Sequence, residues 1–110
     1  MKPKVSRRPR AVADLTEHYG YIARDRLEAA ERLLEAAEQT FELIGRYPMI
    51  GRVWESEHPR LAGIRVYPMR RFRNYLVFYR PCKGGAEILT ILHGARDLGM
   101  ALEGLRDDEL

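Results

Sequence analysis

Between Leu27 and Ile44 an apolar residue recurs at every third or fourth position: Leu27, Ala30, Leu34, Ala37, Phe41 and Ile44. That rhythm belongs to an α-helix with one dry side, and Glu31, Glu35, Glu38 and Glu42 fill its wet side. Asp25 with Glu28 makes a capping-box start, and Gly45 and Pro48 supply the stop. A second helical run precedes it, where Val12, Leu15, Tyr19 and Ile22 follow Pro9, a residue suited to a first helical turn. Only Arg24-Asp25-Arg26 breaks the two runs, so they fold back as an antiparallel hairpin. A hairpin with one dry stripe needs a second layer to bury it.

The second layer is a sheet. After Gly51 the period changes to alternation: Ile64, Val66 and Pro68 are interleaved with Arg65, Tyr67 and Met69 within 61–69. Tyr75 to Tyr79 and Glu87 to His93 are β-branched and aromatic runs, joined by the turn-like Arg80-Pro81-Cys82-Lys83-Gly84-Gly85. A short extended segment at 3–7 precedes the first helix. The predicted order is β-α-α-β-β-β, an α+β domain with a two-helix hairpin packed on a mainly antiparallel sheet. Residues 1–98 form that domain in this reading, and 99–110 are a short polar tail. The middle strands look apolar on both faces. The hairpin covers one face, and the other is expected to need a partner.

At 110 residues the chain fits one domain with one modest core. No apolar run approaches a membrane span, and the basic N-terminus lacks the apolar centre of a signal peptide. The single cysteine, Cys82, excludes an internal disulfide framework, so a cytoplasmic setting is expected. The net charge of +3 conceals blocks: residues 1–10 hold five cations and no acid, 11–51 are acidic, 52–97 sum to +5, and the end is acidic again. Arginine supplies 16 of the 19 cations, which genome composition alone can also produce. Blocks of one sign otherwise suit an anionic partner.

His18, His58 and His93 stand far apart in the sequence, so no metal site and no cofactor are expected. No phosphate-loop or dinucleotide fingerprint occurs, and Ser6, Ser56 and Cys82 have no setting for a nucleophile. What remains is the arginine-rich sheet segment. Arg65, Arg71, Arg73, Arg80 and Arg96, with Tyr67 and Tyr75, are the candidate surface for a partner or target, because guanidinium groups fork onto anions and tyrosines stack. The plain alternative is half-buried strand tyrosines and a solvated arginine rim. For the tyrosines that alternative is preferred, for the arginines it is not.

Several of these residues fall in a familiar order. Asp14-Leu15, Ala29-Ala30, Tyr47-Pro48-Met49-Ile50-Gly51-Arg52, Arg65, Asn74-Tyr75-Leu76-Val77-Phe78-Tyr79-Arg80 and Ile91-Leu92-His93-Gly94-Ala95-Arg96-Asp97 resemble the ParE branch of the RelE/ParE toxin superfamily. The resemblance spans about residue 4 to residue 98. It implies the toxin of a type II toxin–antitoxin system, held in a hetero-oligomer by a ParD-like antitoxin. ParE-type members are understood to poison DNA gyrase by trapping cleaved DNA, with no identified catalytic centre. The RelE branch instead implies a ribosome-dependent mRNA interferase, for which Arg65, Arg73, His93 and Arg96 would surround the scissile phosphate. Leu76 stands where such nucleases place an arginine, and no tyrosine follows Tyr79. The chain therefore reads as a gyrase poison more than as an enzyme, with a degenerate toxin that only binds its antitoxin as the third reading.

Overall fold

A computed structural model describes residues 2–110. Strand β1 (Lys4–Arg7) leads into helix α1 (Pro9–Ala23) and helix α2 (Leu27–Arg46). Strands β2 (Arg52–Val53), β3 (Arg65–Pro68), β4 (Tyr75–Cys82) and β5 (Gly85–His93) follow, then a short helix α3 (Leu98–Glu103). One-turn 3-10 segments lie at Pro59–Leu61 and Asp107–Glu109. The five strands form one sheet in the order β1-β5-β4-β3-β2. β1 runs parallel to β5, and the other neighbours are antiparallel. No helix among the described residues is long and apolar enough to cross a membrane.

The α+β architecture is the expected one, with differences at the joints. Pro9 opens α1 as predicted. Asp25 does not cap α2: Arg26 occupies that position without a side-chain bond, because the backbone there is still closing α1 through Asp25 and Arg26 N–H bonds to Ile22 O. Gly45 lies inside α2, not beyond it; a Cβ there would collide with the Val5 side chain, so glycine lets the helix settle against β1. The turn expected over Arg80–Gly85 shrinks to Lys83-Gly84, since Pro81 and Cys82 pair with Ala86 and Gly85 and Gly84 takes a φ of +82°.

The stripe on α2 is shifted. Ala30, Ala37, Phe41 and Ile44 are buried, but Leu33 takes the place assigned to Leu34. Leu33 is fully buried, whereas Leu34 is 38% exposed and Leu27 is 55% exposed. Adjacent leucines satisfy a helical repeat equally well in a sequence, and the crossing of α2 over the sheet selects between them.

The second sheet face is covered by the chain itself, not left for a partner. Leu61, Ile64, Val66, Phe78, Leu89 and Leu92 are buried there beneath Leu102 and Leu105, with Trp54, Leu98 and Leu110 packed around them. The segment expected to be a polar tail thus contributes apolar anchors to this layer. Glu103, Arg106, Asp107 and Asp108 are exposed between those anchors, whereas Glu109 is buried and bonded to Arg10.

Candidate functional site

The predicted arginines divide into two kinds. Arg65 and Arg80 are braces. Nη1 of Arg65 donates to Gly51 O at 2.6 Å and to Met49 O at 3.3 Å. The Tyr79 hydroxyl holds the same turn from below, donating to Pro48 O at 2.7 Å and accepting from Gly51 N at 2.8 Å. Arg80 donates to Leu110 O at 2.7 Å and to Arg60 O at 3.1 Å, so it ties the C-terminal segment to the sheet. Charge-assisted bonds to carbonyls commit these guanidinium groups to the fold.

Arg71, Arg73 and Arg96 are different: they are exposed and make no side-chain hydrogen bond or ion pair among the described residues, and neither does Arg70. Their backbones adjoin. Tyr75 pairs with His93, and Gly94 N donates to Asn74 O at 2.6 Å, which joins the β3–β4 loop to the turn after β5. The loop itself is tight, with Tyr75 N bonded to Phe72 O at 2.9 Å and Arg70 N anchored to Thr40 Oγ1 of α2 at 3.0 Å. Arg71 sits at a φ of +67°, a left-handed conformation that costs a non-glycine residue roughly 1 kcal/mol.

The tyrosines follow the plain alternative. Tyr67 packs half-buried against the helix-side core. Tyr75 is held edge-to-face between His18 and His93, at centroid distances of 4.8 and 5.0 Å. Burial, and then the neighbouring Tyr21, push its phenol above the ordinary range. His93 Nδ1 accepts from Ala95 N at 3.1 Å, so in the neutral ring Nε2 carries the proton. Arg65 does not join His93, Arg73 and Arg96: its strand partner Tyr79 lies four residues from Tyr75, about 13 Å along β4. The set proposed for message cleavage is not assembled.

One buried acid went unassigned in the sequence. Asp14 on α1 accepts from Thr90 Oγ1 and from Ile91 N, at 3.1 Å for the latter, and so fastens the helix to β5. Burial raises its carboxyl above the ordinary range, against the lowering effect of those two bonds. His18 reinforces the seam with Nε2 at 2.7 Å from Ile91 O.

The sequence also missed a surface. Between α1 and α2, a groove of about 190 Å³ is lined mainly by Ala11, Val12, Leu15, Tyr19, Leu34 and Phe41. Val12, Tyr21, Leu27 and Leu34 remain exposed on this hairpin. The available signal was an excess: the two helices carry more large apolar residues than one stripe each can bury.

A family model described as the ParE toxin of the type II toxin–antitoxin system, parDE, matches residues 5–98. No curated protein matches the chain. Among solved structures, a chain described as "Chromosomal ParDE TA system from P. aeruginosa" superposes with a TM-score of 0.65 at 20% identity. The match covers 84% of this chain and 96% of that one, and it carries the fold.

Proposed function

This chain belongs to the ParE toxin family of type II toxin–antitoxin systems, and we propose that it inhibits DNA gyrase and is neutralised by a ParD-like antitoxin. The observation that carries the antitoxin half is the bare apolar surface of the hairpin. Val12 and Leu34 line the groove between α1 and α2 and are exposed, Tyr21 and Leu27 are exposed elsewhere on the hairpin, and a soluble monomer rarely leaves so much apolar surface bare without a use. The occupant is an amphipathic antitoxin helix whose apolar residues recur at helical spacing and enter the groove. The filling of the second sheet face by Leu102 and Leu105 supports the hairpin as the partner's docking surface.

The gyrase half rests on the family and on the absence of an assembled cleavage set among the described residues. Arg65 is engaged by the 49–51 turn, and His93 is left with exposed arginines and no acid partner. A poison needs a shaped surface, whereas an interferase needs an acid, a base and cations converging on one phosphate. That comparison supports a poison.

The test is coexpression with the small protein encoded beside the toxin, followed by co-purification in high salt. Val12→Asp with Leu34→Asp should weaken the complex at least a hundredfold and leave the toxin able to induce a DNA-damage response. Undiminished binding by this variant would refute the groove as the antitoxin site.

A further inference from the structure

The rim at the end of the sheet has no role in the antitoxin docking described above. Arg70, Arg71 and Arg73 project from the β3–β4 loop, Arg96 from the turn after β5, and Asn74 and His93 lie between them. Apart from the Asn74 amide oxygen, the side-chain polar groups left free in this set are hydrogen-bond donors in the neutral-histidine form, because Nδ1 of His93 is already used by Ala95 N. The nearest acid in sequence, Asp97, has a carboxylate oxygen engaged in capping α3, accepting from Met100 N at 3.0 Å.

We infer that this rim grips the phosphodiester backbone of duplex DNA directly. Three features favour nucleic acid over an acidic protein. First, most of the large exposed apolar residues lie on the hairpin and at 47–53, and Met100 beside Arg96 is a single flexible side chain where a protein interface centres on an apolar cluster. Second, guanidinium groups on adjoining loops offer several forks to a ligand whose charges repeat. Third, Arg71 holds a left-handed backbone where glycine would fit without strain, and its side chain makes no bond inside the fold that would account for the choice. Sparsely populated backbone conformations of this kind collect at binding loops.

The contact deepens the topoisomerase reading, since a trapped cleavage complex holds a duplex beside the poison. Its test contains no topoisomerase, so failure of one reading is separable from failure of the other. Fluorescence anisotropy would follow a labelled duplex of about 20 base pairs binding to the purified chain. For three or four neutralised phosphates, affinity should fall roughly 40- to 150-fold between about 50 and about 200 mM salt. Arg71→Gln with Arg73→Gln, and separately Arg96→Gln, should each weaken binding about tenfold or more. Lys83→Gln, in the hairpin turn at the other end of β4 and β5, should leave it unchanged. Arg71→Gly separates contact from folding: its thermal midpoint should hold or rise while duplex affinity drops at least about threefold. Equal losses in the Lys83 variant would overturn the inference. So would polyglutamate displacing the labelled duplex as well as unlabelled duplex does, which would mark the rim as a carboxylate-binding surface.

Discussion

The Tyr79 hydroxyl accepts the Gly51 N–H at 2.8 Å across 28 residues of chain, and the same oxygen donates to Pro48 O. Tyr79 is completely buried, so one phenol on the central strand fixes the turn that follows α2. Tyr79→Phe leaves the Gly51 amide and the Pro48 carbonyl without that partner. Unmade buried bonds of this kind cost about 1–3 kcal/mol. Urea unfolding checks the value, and a loss below about 0.5 kcal/mol would mean that water replaces the phenol.

Leu33 and Leu34 separate the observed packing from the simple stripe. Leu33→Ala should cost roughly 2–5 kcal/mol by opening a cavity under α2. Leu34→Ala should cost under about 1 kcal/mol, because its side chain lines the open groove. Paired denaturation curves decide it, and the reverse ranking would contradict the placement of α2.

The end of the chain makes a similar claim. Leu102 is fully buried against Leu61, Phe78 and Leu89, and Arg10 is paired with Glu109 at 2.8 Å. Leu102→Ala should therefore cost about 2–5 kcal/mol, the range of a core site and not of a tail. A thermal midpoint within a degree or so of the unchanged chain would show that residues 99–110 are loosely held.

Asp14 predicts a pH dependence with a definite sign. Burial raises its carboxyl in the folded state, so the fold binds the proton more tightly than the unfolded chain does. That contribution is fully present below the unfolded carboxylate range, near about 4, and is lost as pH rises through the raised folded value. Glu109 acts the other way: the Arg106 N–H and then Arg10 lower its carboxyl, so its contribution is lost as pH falls. In Asp14→Asn the amide oxygen can still accept from Thr90 and Ile91. The stability of this variant relative to the unchanged chain should rise from acid towards neutral pH. Denaturation at about pH 4 and about pH 7 reads the difference, and a fall in the same direction would contradict the assigned cause.

Periodicity exposed the helix hairpin and the three long strands because burial on one face leaves a regular mark. It could not choose between Leu33 and Leu34, which differ only in how α2 is rotated over the sheet. The covering of the second face was hidden for another reason. Leu98, Leu102 and Leu105 do recur at helical spacing, but over only two turns and among Asp97, Glu103, Arg106, Asp107, Asp108 and Glu109, so the charged residues mask the short apolar run. The arginines were found as a group but not sorted. Whether a guanidinium meets a carbonyl, as in Arg65 and Arg80, or solvent, as in Arg71 and Arg73, depends on chain segments distant in sequence.

The central claim is that this ParE-family chain poisons gyrase. Purified chain, gyrase and supercoiled plasmid should be incubated with ATP, stopped with detergent and protease, and resolved on a gel. Linear DNA should accumulate with toxin dose and vanish when the antitoxin is added first. No linear DNA at any dose, together with cleavage of a defined message on programmed ribosomes, would contradict the account and restore the interferase reading.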